Sequence, residues 1–420
     1  MLAVTAAVTT VVPAAAAPVA TAPVTTPATA PGATSDVTLL GHNIPAVLDL
    51  DAVGSRFTMA WRLSRTDVEV TVRIRNTRTG ETRTEDVRPL SVPDYEYARF
   101  TWRGEVTWNG TGDQWTGAQS GPYTWEIVAV PLDGVGRDLR ASGSFTVARA
   151  PGAHDYDGDG SPDVLVREAA TGRLWINDTF PSPYWDRLDQ NPGLLVGTGW
   201  QVHDRIEAVG NVGGAAFSDV VARDRTGVLW LYQGTGIAKA PLATRVRVGA
   251  GWNAYTQFTG GSDLTGDGRA DLVAADGAGA LWLYKGTGKA SAPFATRKRI
   301  GSGGWGAYDQ LTAVGNIGGG TAGDLVARDR AGVLWLHLGK GDGTFAARTR
   351  IGGGWNAYKQ LVGIGDANRD GHPDLYVAEA DGRGPAALYK GTGSWKQPFR
   401  AVGEVAHLGW LDDPFFDIFV

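Results

Sequence analysis

The residues best suited to chemistry form an acidic, glycine-rich loop at 155–163. Carboxylates occupy its positions 1, 3, 5 and 9, namely Asp155, Asp157, Asp159 and Asp163. Calcium binds about six to eight oxygen ligands, and a tight turn with alternating carboxylates directs their oxygens to one point. The loop therefore predicts a calcium site, in which Ser161 at position 7 contributes its backbone carbonyl.

Two later loops, at 263–271 and 366–374, repeat this spacing. Their position-7 residues differ in chemistry, which fits a backbone carbonyl ligand. The expected ligand positions are Asp263, Thr265, Asp267, Arg269 and Asp271 in one loop and Asp366, Asn368, Asp370, His372 and Asp374 in the other. Crowded carboxylates disfavour one another's ionisation unless a cation lies among them, so the loops predict about three Ca²⁺ ions. The alternative, that aspartate and glycine merely form turns, stays open.

Two further loops, at 211–219 and 316–324, resemble these three in position along the chain but lack most of the acidic residues. Both keep a final aspartate, Asp219 or Asp324, but have no acid at positions 3 and 5. One carboxylate does not satisfy calcium. We expect these loops to keep the turn and to bind no metal, so that calcium occupies alternate repeats.

The loops belong to a repeat of about 52 residues that extends over 153–420. Each repeat contains four short strand-like segments, which predicts a β-propeller blade. Continuously apolar strands, such as 228–232, fit sheets that are packed on both faces. About five blades are expected, with 415–419 as the last strand, and the sequence leaves open whether the ring closes with five.

A Gly-Trp pair recurs at one fixed phase of every repeat. The indoles are Trp200, Trp252, Trp305, Trp355 and Trp410. The regular placement predicts packing between blades against a tryptophan of the second strand. These partners are Trp175, Trp230, Trp282 and Trp335, with Ala387 in the fifth repeat. The alternative is that the Gly-Trp indoles form a platform for sugar rings, and their exposure distinguishes the two interpretations.

The region 36–148 has a different pattern. Alternating apolar residues, as at 68–75, predict half-buried strands, and about six to eight of them suit a β-sandwich.

Residues 1–35 are rich in Ala, Thr, Val and Pro and carry no charge. The apolar run at 2–12, followed by alanines, favours a signal peptide and secretion, although no basic residue precedes it, and an unstructured tail is the alternative. Prolines interrupt the run, so no membrane span is predicted.

Composition excludes several classes of function. The 39 Lys and Arg against 44 Asp and Glu give a net charge of −5, which disfavours a nucleic-acid partner. The chain has no cysteine, so disulfides and thiolate metal sites are excluded. Neither a Gly-x-Ser-x-Gly nor a His-Glu-x-x-His motif occurs, and the six histidines lack metal-ligand spacing. We therefore expect no enzymatic activity.

The repeat region resembles the FG-GAP or VCBS repeats of integrin alpha-chain-like β-propellers, both in its acidic loops and in the segment 339–345. The resemblance implies that calcium is bound through Asp155, Asp157, Asp159, Asp163 and their counterparts. The segment 108–125 resembles the immunoglobulin-like domain of flagellar hook-capping proteins. That resemblance implies an accessory module without catalytic residues.

Together these features predict an all-β, extracellular protein in which an immunoglobulin-like β-sandwich (36–148) precedes a β-propeller (153–420) of about five four-stranded blades. Calcium is expected to be structural, and the function to be non-catalytic binding or scaffolding of an unknown protein or glycan. One alternative is a propeller lectin, because some fungal and horseshoe-crab lectins have similar Gly-Trp repeats. A secreted hydrolase that carries a propeller is less favoured.

Overall fold

The computed structural model describes residues 36–50, 57, 59–65, 67–87, 118–149, 152–181, 187–190, 193–405 and 415–420. Within these ranges the regular elements are β-strands and four short 3₁₀ turns, so the chain is all-β. The signal-peptide-like segment (1–35) and residues 108–117 of the hook-capping resemblance lie outside the described residues. No helix in the described part is long and apolar enough to cross a bilayer.

Alternating apolar residues build the N-terminal unit. Its strands are β1 (Leu39–His42), β2 (Val47–Asp49), β3 (Trp61–Leu63), β4 (Val68–Asn76), β5 (Thr82–Val87), β6 (Gly121–Pro131) and β7 (Leu139–Ala148). Strand β1 pairs with β3, and a five-stranded sheet has the order β2-β7-β6-β4-β5. Every second side chain of β4 is buried in a core that includes Trp61 and Trp125. The strand predicted at 68–75 is confirmed, whereas the immunoglobulin-like topology and the domain limits stay predictions.

The repeat region contains three separate antiparallel four-stranded sheets, as the repeat pattern predicts, and one nine-stranded sheet that combines the strands of two further blades. We number the five blades 1 to 5 in chain order. Blade 1 contains β8 (Asp163–Glu168), β9 (Leu174–Pro181), β10 (Arg187–Gln190) and β11 (Leu194–Gly197); blade 2 contains β12 (His203–Gly210), β13 (Asp219–Asp224), β14 (Leu229–Tyr232) and β15 (Val246–Gly249). Blade 3 contains β16 (Tyr255–Ser262), β17 (Asp271–Asp276), β18 (Leu281–Tyr284) and β19 (Lys298–Gly301); blade 4 contains β20 (Tyr308–Ala313), β21 (Leu325–Asp329), β22 (Leu334–His337) and β23 (Thr349–Gly352). Blade 5 contains β24 (Tyr358–Gly365), β25 (Asp374–Glu379), β26 (Pro385–Gly391) and β27 (Phe399–Val405), and the last strand is β28 (Phe416–Phe419).

The last strand returns to the first blade. Strand β28 pairs antiparallel with β8 and so becomes the innermost strand of blade 1. Strand β10 joins the outer edges of blades 1 and 5, because it pairs with both β9 and β27. Residues of β12, β16, β20, β24 and β28 line one central channel of about 220 Å³. The repeat region therefore has a β-propeller-like fold of five blades, of which blades 1 and 5 share one sheet, and the predicted last strand is confirmed.

The Gly-Trp indoles pack in the core between blades. Each of the four described pairs starts a 3₁₀ turn, at Trp200–Val202, Trp252–Ala254, Trp305–Ala307 and Trp355–Ala357. Trp252 is 5% exposed and stacks on Tyr284 with ring centroids 4.9 Å apart, while Trp200 and Trp355 are each 7% exposed. Core packing is therefore confirmed for these three buried indoles, whereas Trp305 is only partly buried, at the edge of the core between blades 3 and 4. Trp410 lies outside the described residues.

The predicted partner tryptophans, such as Trp230 on β14, do not pair with these indoles. The rings that contact Trp252 are Tyr255, Phe258 and Tyr284. Trp230 instead donates its indole N–H to Asp224 over 2.8 Å, and the Arg245 guanidinium carbon lies 4.2 Å from the centre of its ring. The alternation of the strand explains the difference, because it turns Trp230 and its equivalents in blades 3 and 4 to the half-buried face of each sheet.

Candidate metal centre

The loop at 155–163 precedes β8 and folds around its own carboxylates. Asp155 accepts hydrogen bonds from the backbone N–H of Gly158 (2.6 Å) and of Gly160 (3.1 Å). Asp157 accepts one from the N–H of Asp159 over 3.0 Å. Gly158 and Gly160 have φ angles of 82° and 80°, which residues with a Cβ rarely adopt. The glycines therefore permit the sharp turns that bring alternate carboxylates together.

The three alternating carboxylates converge on one point. Oxygen atoms of Asp155, Asp157 and Asp159 lie within 4.8 Å of one another, and no other group of three or more acidic or histidine ligands in the described residues does so. Their side chains are almost fully buried, with exposures of 5%, 5% and 1%. Ser161 is buried beside them, as the ligand prediction requires.

Asp163 and Asp178 lie outside the group of converging oxygens but close enough to act electrostatically on the acids of this loop. Asp163 is fully buried; its Oδ2 accepts the N–H of Tyr156 over 2.8 Å, while its Oδ1 has no hydrogen-bond partner in the described part of the chain. Asp178 lies opposite Asp163 in the register of β8 and β9. Asp178 was not predictable from the loop spacing, because its place depends on strand register. The buried, unsatisfied oxygen of Asp163 fits a site completed by a cation.

Burial and mutual repulsion disfavour ionisation of these acids. Burial, together with the charge of Asp159, raises the pKa of Asp155 to about 7. Burial also raises the pKa of Asp157 and of Asp163 well above the ordinary aspartate value, and the neighbouring carboxylates, Asp178 among them, add to both shifts. Five neighbouring acids at neutral pH need either protons or a cation. Carboxylate and carbonyl oxygens are the ligands that calcium prefers.

The stabilisation that calcium supplies is expected to grow as the pH rises from about 4 to about 7. The pKa of Asp155 is about 7 in the folded, metal-free chain, against about 3.9 for an unfolded aspartate. Between these values the unfolded chain has released a proton that the folded chain still holds, so rising pH destabilises the metal-free fold. Bound calcium removes this penalty because it takes the place of the protons.

Urea unfolding at pH 4.5 and pH 7.5, each with and without calcium, measures this effect. Acids outside the three acidic loops cancel in the difference between the two calcium conditions; one is Asp224, whose pKa the hydrogen bonds from Thr226 and Trp230 lower. The prediction would be contradicted if calcium increased the free energy of unfolding by as much at pH 4.5 as at pH 7.5.

The final aspartate has the same structural role in every loop outside blade 1. One oxygen accepts a backbone N–H from a glycine at or just after the end of the third strand of the blade. The donors are Gly234 to Asp219 (3.0 Å), Gly286 to Asp271 (3.0 Å), Gly339 to Asp324 (2.8 Å) and Gly391 to Asp374 (2.9 Å). This bond is present in acidic and non-acidic loops alike, so it fixes the turn independently of metal. The non-acidic loops keep the turn, as expected.

The acidic loops of blades 3 and 5 differ from that of blade 1. Asp267 is exposed to solvent and its carboxylate forms an ion pair with Lys285 at 3.2 Å. Asp370 in blade 5 forms a short ion pair with Arg400. Asp263 and Asp366 still cap their turns by accepting backbone N–H groups, as Asp155 does. In each of these two loops, one predicted ligand therefore already forms an ion pair with a lysine or arginine side chain.

The remaining predicted positions of these loops lie on the same turns. Thr265 and Asn368 at position 3 are partly buried, and Arg269 and His372 at position 7 place their backbone N–H groups on Asp267 and Asp370. That their carbonyls bind a metal stays a prediction.

An exposed tryptophan marks a separate pocket at blade 5. Trp395 is 45% exposed and stands where the equivalent loops have Ala238 and Ala290. It borders an open cavity of about 400 Å³ whose wall includes Trp355 and Tyr389. Core packing does not explain an indole in this position.

Comparison with known proteins supports one repeat of the fold. A family model described as FG-GAP-like repeat matches residues 322–377, which include the acidic loop of blade 5. The chain is similar to a lectin of Agrocybe aegerita that recognises non-reducing terminal N-acetylglucosamine, with 16% identity, a TM-score of 0.33, and 82% of this chain and 91% of that chain covered. It is also similar to BBS1N in complex with ARL6DN, with 11% identity, a TM-score of 0.27, and 64% and 73% covered. No curated protein sequence matches the chain.

Proposed function

We propose that the chain is a secreted, non-catalytic binding or scaffold protein whose β-propeller-like unit is stabilised by structural calcium. The observation that carries the proposal is the buried convergence of Asp155, Asp157 and Asp159. These carboxylates, with the carbonyl of Ser161 and the free oxygen of Asp163, would supply the oxygen ligands.

The three acidic loops are expected to differ in affinity. Blade 1 offers three buried carboxylates whose oxygens already converge on one point, so it would bind calcium most tightly. In blades 3 and 5 calcium has to displace Lys285 from Asp267 and Arg400 from Asp370. Extracellular modules bind calcium with Kd values of about 10⁻⁴–10⁻³ M, which suits a secreted protein better than a cytosolic one.

Chelation of calcium is expected to lower the melting temperature of the chain. At a free calcium concentration about 50 times Kd, mass action contributes about 2 kcal/mol per site, which corresponds to a shift of roughly 4–8 °C. Thermal melts with calcium and with a chelator measure the shift, and isothermal titration gives the number of ions. Magnesium at the same concentration is the control, because its octahedral preference suits this loop poorly. An unchanged melting temperature would refute structural calcium.

A second candidate is carbohydrate binding at the pocket beside Trp395. An exposed indole face suits the apolar face of a sugar ring, and the cavity wall also contains Arg350 and Arg400, which can donate hydrogen bonds to hydroxyl groups. A glycan array compares the wild-type chain with Trp395→Ala. Glycan signals that the variant loses would support this ligand class, and an array without signal for the wild-type chain would exclude it.

A further inference from the structure

The acidic loop of blade 1 lies beneath the N-terminal unit, unlike the loops of blades 3 and 5. The backbone N–H of Ser120, just before β6, donates a hydrogen bond of 2.7 Å to the carbonyl of Gly158, which lies between two predicted calcium ligands. A Cβ on Gly158 would lie 3.0 Å from the Ser120 hydroxyl and 2.6 Å from the Phe217 ring. The tip of the loop is therefore closely covered on both sides.

Arg78 links the same surface to blade 2. This residue lies in the turn after β4 and donates to the carbonyls of Thr235 (2.8 Å) and Gly236 (2.6 Å). It also donates to the carbonyl of Ser120 over 2.7 Å, and its guanidinium lies 4.8 Å from the centre of the Phe217 ring. One side chain thus connects the N-terminal sheet, the segment that covers the loop and the propeller-like unit.

A second arginine covers the other half of the loop. Arg149 donates to the carbonyl of Ala118 over 3.1 Å, and a Cβ on Gly160 would lie 2.4 Å from its Nη1 atom. Arg78 and Arg149 are the cations nearest to the acids from the N-terminal side, and both act electrostatically on Asp155. Without a metal ion, the four acids of the loop and Asp178 still outnumber these two arginines and Arg369, which donates to the Ser161 hydroxyl over 2.8 Å.

We propose that calcium in the blade 1 loop fixes the N-terminal unit onto the propeller-like unit, so that ion binding and docking are coupled. The inference rests on the proposed calcium site. Without the ion, repulsion among buried carboxylates favours opening of the loop. Opening withdraws the Gly158 carbonyl from Ser120 and the loop surface from Arg149. Conversely, detachment of the N-terminal unit exposes the acids to water and lowers their affinity for calcium, because coupling between two equilibria is reciprocal.

Hydrogen exchange of the Ser120 amide in the full-length chain tests this coupling. At a calcium concentration about ten times Kd, exchange is expected to slow on the order of tenfold relative to the chelated protein. The double variant Asp157→Asn, Asp159→Asn should lose this effect, whereas Asp267→Asn in the blade 3 loop should keep it.

Arg78→Ala tests the other side of the contact. It leaves every predicted ligand in place, yet it should abolish the calcium effect on Ser120 and weaken the tightest calcium site by the same factor. Arg73→Ala is the matched control, because Arg73 lies on β4, is 59% exposed and pairs only loosely with Glu126 at 3.8 Å. Should Arg78→Ala fail to fold, Arg78→Lys retains the charge but not the forked hydrogen bonds and should reduce the effect.

Two results would overturn the coupling. If titration shows that the double variant loses one calcium ion but Ser120 exchanges equally fast with and without calcium in the wild-type chain, the site exists and the coupling does not. If the wild-type chain takes up no calcium at all, the proposed function fails and the coupling fails with it.

Discussion

Replacing Phe419 with alanine is expected to destabilise the chain by about 3–5 kcal/mol and to lower its melting temperature by on the order of 10 °C. Phe419 is 1% exposed and lies opposite Val166 in the pairing of β28 with β8. Its ring packs in a core that blade 5 shares through Tyr376 and Leu388. The loss therefore weakens the contact that joins the last strand, the first blade and the fifth blade.

Phe415→Ala is the matched control for this variant. Phe415 precedes the same strand but is 50% exposed, with the Lys359 ammonium group 4.0 Å from its ring centre. Its truncation should change stability by less than about 0.5 kcal/mol. Chemical unfolding of both variants measures the difference. Equal effects would show that β28 does not close the ring in solution.

Replacing Asp157 with asparagine is expected to have opposite effects with and without calcium. In calcium the variant loses a ligand and should melt below the wild-type chain. In chelator it should melt above it, because burial and neighbouring acids disfavour the charged form of Asp157, whose pKa they raise well above the ordinary value. Each kcal/mol of relieved repulsion corresponds to roughly 2–4 °C.

Asn211→Ala provides the comparison in a loop that is predicted to bind no metal. Asn211 caps its turn by accepting the N–H of Gly214 over 2.8 Å, so the variant should lose some stability. The loss should be the same in calcium and in chelator. If Asp157→Asn lowers the melting temperature equally under both conditions, the acidic loop is a turn former and not a metal site.

The sequence pattern predicted much of this fold because strands and turns are local features. The alternation at 68–75 produced β4, and the period of about 52 residues placed each sheet of the repeat region. The spacing of Asp155, Asp157 and Asp159 predicted convergence, since a turn with glycine at 158 and 160 directs alternate side chains to one point.

The features of the site that the sequence did not predict depend on contacts between distant parts of the chain. Asp178 joins the acidic cluster through the register of β8 and β9, and Arg78 reaches the loop surface from a separate sheet. The ion pair of Lys285 with Asp267 likewise follows from how the loop after β18 returns. Spacing within one loop carries no information on such neighbours, so the difference between blade 1 and blades 3 and 5 became evident only in the structure.

A crystal structure of the chain grown in millimolar calcium, with anomalous scattering recorded, tests the central claim most directly. We expect a calcium peak about 2.3–2.6 Å from oxygens of Asp155, Asp157 and Asp159, beneath Ser120. An ordered blade 1 loop that contains only water at that point, with the carboxylates turned apart, would contradict it.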